Sequence, residues 1–255
     1  MSGALEVAAI GMRAQQAALE AIASNVSNVN TPAFKRADLR FSALIDSGGT
    51  QGNLFVDRVS GVAQTEVPDL DRAGQLYATS NYKDVAINGS GFIELMGPAG
   101  QTYLWRGGTL RILEDGQLAT PNGFALRANV VLPAGATDLR IDPDGKVFSQ
   151  GSADTQPSQI GTIPLVRLED GARVTRLDGG VYALVNTDGL APRFTEVVAG
   201  EDGTGTLVQS SLERSNVDLN NEMVDLLISQ RAYAANAQVV RAADEFLSVA
   251  NGLRR

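Results

Sequence analysis

Residues Ser24 to Arg36 read SNVSNVNTPAFKR, and the helix that enters this stretch does not leave it. Asn25, Asn28 and Asn30 come in quick succession, with Val26 and Val29 between them, and Thr31-Pro32 closes the run. Asparagine is a poor helix-interior residue because its amide competes for backbone hydrogen bonds. Upstream, Leu5 to Ile22 has a helical apolar pattern. Read in sevens, Leu5, Met12, Leu19 and Val26 form one row, and Ala8, Gln15, Ile22 and Val29 a second. That is the a/d spacing of a coiled coil. The rows run through Val26 and Val29, so the asparagines lie off them. Pro32 then stops the helix, because it has no N–H and drives Thr31 toward extended conformations. Asn25, Asn28, Asn30 and Pro32 are read as a helix-end turn.

A second heptad pattern occupies the other end of the chain. Leu219, Leu226, Tyr233, Val240 and Leu247 recur every seven residues, and Met223, Gln230, Ala237 and Asp244 follow four residues after the first four. Asp218 suits an N-cap, Glu222 favours the helix dipole, and Gly252 suits a stop. A helix over this span is about 50 Å long at about 1.5 Å per residue. Two amphipathic helices packed on a globular core are one reading. Alanine at Ala8, Ala9, Ala14, Ala17, Ala18 and Ala21, and again at Ala232, Ala234, Ala235 and Ala237, permits close approach on several sides and favours helix-to-helix assembly. Gln15 and Gln230 are polar residues near the middle of otherwise mostly apolar rows, placed to set register.

Between the ends the period changes. From about Val62 to Leu207 short apolar runs alternate with turn signals, as in DVAINGSGFIELM, TLRILEDGQLAT and LRIDPDGKVFS. Asn-Gly and Asp-Gly between alternating residues mark hairpins. The expected fold class is α+β, with N- and C-terminal helices pairing as a coiled-coil-like domain and an all-β domain inserted between them. The expected bounds are 1–36 and 212–255 for the helical domain, 37–61 for a connector, and 62–207 for the β domain, which is expected to fold on its own.

Composition removes many functions. The 255 residues carry a net charge of −8, so nucleic acid is a poor partner, and Lys35-Arg36 with Arg40 is read as a solvated patch. There is no Cys and no His, which excludes thiolate chemistry and the commonest general base and transition-metal ligand. No apolar run is long enough for a membrane span. The N-terminus lacks the pattern of a Sec-type signal peptide. Ser80 and Lys83 fit S-x-x-K, but a β pattern follows, and the K-T-G and S-D-N partners are missing. Asp142-Pro143-Asp144-Gly145 resembles part of a calcium loop, but Ala153 stands at its twelfth position, so a hairpin turn is expected. No catalytic residue, cofactor or metal is expected.

Three segments resemble the flagellar rod and hook family of axial proteins. They are GMRAQQAALEAIASNVSNVNTPAFKR (residues 11–36), TSNYKDVAINGSGFIEL (79–95) and SNVDLNNEMVDLLISQRAYAANAQVVRAADEFLSVANGL (215–253). Ala33 stands where many members have glycine. The single β module looks like a rod protein, most like the distal-rod members, with proximal-rod or hook members as the alternative. A secreted β-rich binding module and a Ser/Lys acyl hydrolase are remote alternatives. The resemblance implies a helical homopolymer whose terminal helices line a tube and whose β domain faces outward. That tube transmits torque and encloses the export channel. It implies other rod proteins, hook protein, the flagellar export apparatus and surrounding basal-body ring proteins as partners, with no nucleic acid and no membrane insertion. It also implies export without a cleaved signal into a periplasm-spanning rod. Assembly is then expected along the rows Leu5, Met12, Gln15, Leu19, Ile22, Val26 and Val29, and Leu219, Met223, Leu226, Gln230, Tyr233, Val240 and Leu247.

Overall fold

The structure is a computed structural model. It describes residues 2–45, 59–128, 130–133, 136–151, 157–169, 173–185, 194–201 and 203–252. The chain divides into two compact units, Met1–Ser27 with Ala37–Val67 and Asp218–Arg255, and Asn28–Arg36 with Pro68–Val217.

The first unit holds α1 (Ser2–Ser27), β1 (Ala37–Ile45), β2 (Val59–Pro68) and α2 (Leu219–Gly252). β1 and β2 pair as a two-stranded sheet, so strand occupies much of the segment read as connector, while residues 46–58 lie outside the described residues. The sequence signal for β1 is an alternation of Ala37, Leu39, Phe41, Ala43 and Ile45 with Asp38, Arg40 and Ser42.

α1 and α2 run antiparallel, because Asn25 meets Glu222 while Gly11, earlier in α1, meets Asn236, later in α2. The expected α+β class with a coiled-coil-like helical domain is overturned by the element content. Among the described residues there are two α-helices, one at each end of a strand-rich chain, and the fold is predominantly β. Two contacts between the helices join small and polar residues, Asn25 with Glu222 and Gly11 with Asn236. On α2 the expected seam is split: Leu219, Met223 and Tyr233 are 38%, 52% and 42% exposed, whereas Leu226 and Val240 are half-buried. The physical reason is that a seven-residue spacing marks a face without saying what covers it. Gly11, Ala18 and Asn25 are also seven apart, as are Glu222, Ser229 and Asn236.

The second unit is all β. Its opening strands are β3 (Leu76–Ala78), β4 (Asp84–Asn88), β5 (Phe92–Met96), β6 (Thr102–Trp105) and β7 (Gly107–Thr109). β5 and β6 pair antiparallel, Ile93 opposite Trp105, within a nine-stranded sheet. β4 lies between β7 and the strand Thr206–Gln209 in a three-stranded sheet. β3 pairs with Ser211–Glu213, and Ala136–Ile141, Lys146–Gly151 and Ser158–Thr162 form a further sheet. The segment DPDGK is a turn, with Gly145 at φ +83° and its N–H donating to Asp142 O. At Gly107, φ +120°, a Cβ would run into Val85 O, so no larger residue fits beside β4.

Period-two alternation sorts the core. Ile93, Leu95 and Trp105 enter one cluster with Val85, Ile87 and Leu165, while Phe92 and Leu104 enter a second with Val166 and Tyr182. Phe92 and Tyr182 meet edge to face at 5.8 Å. Both faces of the large sheet are therefore covered, mostly by aliphatic side chains.

Glu94 is a polar exception on this sheet. Its Oε1 accepts from Arg127 Nη1 at 2.9 Å and from the Thr102 hydroxyl at 3.2 Å, whereas its Oε2 is buried without a hydrogen-bond donor among the described residues. Burial raises its carboxyl above the usual value, opposed by Arg127. A raised carboxyl contributes stability that is complete below its unfolded value and is lost as pH rises through its folded value. Glu94→Gln is therefore expected to raise the urea midpoint at neutral pH and leave it nearly unchanged near pH 4.

The second unit also predicts its own minimum. Its buried ion pair joins Lys35 to Glu213, both outside residues 62–207. A fragment of residues 28–217 should unfold cooperatively in urea, and one of residues 62–207 should not; equal cooperativity would show the flanking residues to be dispensable.

Candidate assembly interface

Asn25 is buried in the first unit and works as a peptide-group mimic. Its Oδ1 accepts from Ala37 N at 2.9 Å, and its Nδ2 donates to Ala37 O at 3.1 Å. The same Nδ2 donates to Glu222 Oε2 at 3.2 Å. One amide thus joins the end of α1, the start of β1 and the first turn of α2. Glu222 is itself fully buried, and its N–H donates to Asp218 O at 3.0 Å. The other members of the expected helix-end turn lie in the second unit. There the Thr31 hydroxyl donates to Asn28 Oδ1 at 3.2 Å, Asn30 is exposed, and Pro32 is half-buried.

Beyond that turn, Ala33 is buried at φ +58°, the left-handed region that costs a non-glycine residue about 1–2 kcal/mol. Lys35 follows, and it is not the solvated residue expected. It is 1% exposed, with Nζ donating to Glu213 Oε1 at 2.7 Å and to Arg72 O at 2.8 Å. Glu213 Oε2 accepts from Arg106 Nε at 3.1 Å, and Gly74 N donates to Oε1 at 2.7 Å. Arg106 also donates to the carbonyls of Gly91 and Gly89. Burial pulls the Lys35 ammonium below its ordinary value, and the Glu213 carboxylate opposes this. A short basic run gives no warning of burial, because its partner is 178 residues away.

Asn216 makes a clamp like that of Asn25. Its Nδ2 donates to Asp69 O and Arg72 O at 3.1 and 2.9 Å, and its Oδ1 accepts from Arg36 N at 2.6 Å. Asn216, Glu213, Arg106, Lys35 and Glu222 were not identifiable as site residues from heptads and hairpins. The sequence signals are the place of Lys35 in the family-like segment 11–36, that of Asn216 and Glu222 in the segment 215–253, and the position of Glu222 in the first turn of α2.

The helix faces differ in character. On α1, Met12, Gln15, Leu19 and Val26 are half-buried and Ile22 is buried, while the exposed side carries Arg13, Gln16 and Glu20. Val29, beyond the helix, is half-buried. On α2, Leu226 and Val240 are half-buried, and Gln230 is exposed. The side chains of Leu5 and Leu247 lie outside the described residues. The exposed part of α2 is wide and apolar. At 100° per residue, Leu219, Met223 and Tyr233 fall on one flank, and Val224, Ile228, Val239, Phe246 and Val249 on another, all at least 38% exposed. Among the described residues, α2 meets α1 through Glu222 and Asn236, and its two apolar flanks stay exposed. Among the described residues no helix is long and apolar enough to cross a membrane. Ser80 sits in an exposed bend that leads into strand β4, with no helix after it, which is the wrong setting for an S-x-x-K nucleophile.

Comparison with known proteins matches three segments in chain order. Residues 5–35 match the family described as Flagella basal body rod protein, 86–149 the Flagellar hook protein FlgE/F/G D1 domain, and 208–253 the Flagellar basal body rod FlgEFG protein C-terminal. The chain is 32% identical to the flagellar basal-body rod protein FlgG of Caulobacter vibrioides, over 98% of this chain and 99% of that protein. It is 33% identical to the protein of that name from Agrobacterium fabrum, over 96% and 97%. For that of Borreliella burgdorferi the identity is 30%, over the whole of both.

The buried charges supply a stability test. Glu213→Ala leaves Lys35 and Arg106 buried without their carboxylate and should cost about 3–5 kcal/mol in denaturant unfolding. Arg140→Ala, which removes a mostly exposed pair with Asp142 at 3.1 Å, should cost under about 1 kcal/mol.

Proposed function

The chain belongs to the flagellar basal-body rod protein family, and from that premise we propose that it polymerises as the distal rod, a helical tube that carries torque from motor to hook and encloses the export channel. It is a structural subunit of the flagellar basal body and not an enzyme. The observation that carries the polymer reading is the pair of apolar flanks on α2. Among the described residues, nine large apolar side chains on this helix are exposed: Leu219, Met223, Val224, Leu227, Ile228, Tyr233, Val239, Phe246 and Val249. Side chains about half exposed offer roughly 1 kcal/mol each on burial. That sum, about 10 kcal/mol, only matches the entropy cost of a single association. Contacts with several neighbours at once tip the balance, so a lattice is favoured over a dimer.

The rows that include Met12, Leu19, Met223 and Tyr233 supply contacts between copies in this reading. Other rod proteins and the hook protein adjoin the two ends of the polymer, and ring proteins of the basal body surround it. The chain reaches the periplasm through the flagellar export apparatus with its N-terminus uncleaved. Absence of Cys suits passage as an unfolded chain.

Electron microscopy of the concentrated protein tests this. Tubes with a regular repeat are expected from the unaltered chain. Val224→Glu with Ile228→Glu should abolish tubes and motility while leaving the monomer's circular dichroism and thermal midpoint within error. Normal tubes from that double variant would remove the α2 flank from the lattice.

A further inference from the structure

We propose that Gly11 and Asn25 of α1, with Asn236 and Glu222 of α2, fix the axial register of the two helices within one subunit, leaving the apolar flanks of α2 free for assembly. Two contacts carry this. Asn25 Nδ2 donates to Glu222 Oε2 at 3.2 Å, and both residues are buried. At the other end a Cβ on Gly11 would lie 2.7 Å from Asn236 Nδ2 and 3.2 Å from its Cγ, so the missing side chain makes the room that Asn236 occupies. The contacts are fourteen residues apart on each helix, about 21 Å along the axis.

Such a two-point contact rejects slippage. A slip of one heptad one way puts Asn25 level with Ser229 and leaves the buried Glu222 carboxylate without its amide, which is costly. The same slip brings Asn236 against Ala18, whose methyl fills the space that Gly11 leaves open. A slip the other way sets Glu222 against Ala18. Leucine rows lack this property, since every heptad offers an equivalent site and a slipped pair buries similar area. Polar pairing inside the subunit also consumes none of the apolar surface of the α2 flanks. The axial register follows from these contacts alone; its role in assembly rests on the rod reading.

The chain has no Cys, so an introduced pair reports without background. In Gly11→Cys with Asn236→Cys, the new sulfur at 236 takes the place of Asn236 Cγ, at a separation disulfide geometry tolerates. In the full chain this pair should oxidise within one molecule at least about tenfold faster than Gly11→Cys with Ser229→Cys, which samples the slipped register. Non-reducing electrophoresis and intact mass give both rates. Asn25→Leu or Glu222→Leu should shrink that ratio several-fold, while Glu222→Gln, which keeps an acceptor, should preserve it. Circular dichroism on each sample selects folded protein, and Glu222→Leu serves if Asn25→Leu does not fold. The oxidised Gly11→Cys/Asn236→Cys chain should still form tubes. Equal rates for the two pairs, a ratio unmoved by either leucine variant, or failure of the locked chain to assemble overturns the proposal. Failure of the unaltered chain to form tubes counts against the rod reading instead, and leaves the cross-linking ratio standing.

Discussion

A polar group taken out of water needs a partner, and here the partners come from opposite ends of the sequence. Asn25 finds Glu222 at a separation of 197 residues, and Lys35 finds Glu213 at 178. The two pairs lie in different units and do parallel work. In the first unit, the Asn25 amide turns the chain out of α1, receives it again at Ala37, and seats the first turn of α2. In the second, the Glu213 carboxylate gathers Lys35, Arg106 and the backbone of Gly74 around the end of the strand that pairs with β3. A buried ion pair adds little net stability compared with an apolar substitute, but it is intolerant of any wrong partner. Removing Asn25 or Glu213 therefore leaves a buried charge without its partner in the unit concerned.

The same rule explains why the helix pair is inverted relative to a simple bundle. In an isolated soluble protein the apolar stripe of a helix faces its partner and the polar stripe faces water. In α2, Glu222 and Ser229 are buried, whereas Ile228 and Phe246 are 59% and 68% exposed. That distribution suits a chain whose final surroundings are other chains. The α1 exterior, with Arg13, Gln16 and Glu20, shows the ordinary pattern, so the two helices present different chemistry to what lies around them.

Much of this was readable in the sequence, and the failures have definite causes. Asn-Gly and Asp-Gly pairs marked the β region because a tight hairpin needs positive φ, and Gly145 takes that role in the DPDGK turn. Both helices follow from their seven-residue apolar rows, with Pro32 stopping the first and Asp218 and Gly252 bounding the second. The helix-pair interface did not follow, because periodicity locates a stripe without naming its neighbour, and two stripes of the same period share each helix. β1 was legible in the alternation from Ala37 to Ile45 but was masked by the glycines that follow it. The burial of Lys35 was not legible, although the residue lies near the end of the family-like segment 11–36. Only a distant carboxylate distinguishes it from a surface lysine, and local sequence carries no record of that carboxylate. Ala33 is an intermediate case, since a non-glycine residue at positive φ leaves a trace only when set beside relatives.

The long separation between partners also sets an order in time. A ribosome that has reached residue 200 has made Asn25 and Lys35 but neither of their carboxylates. The N-terminal stretch must then remain hydrated, because collapsing it would bury an amide and an ammonium with nothing to bond. Contacts of such high sequence separation also form slowly, since the loop between them must close first. Until Glu213 and Glu222 have been made, neither Lys35 nor Asn25 has its carboxylate partner.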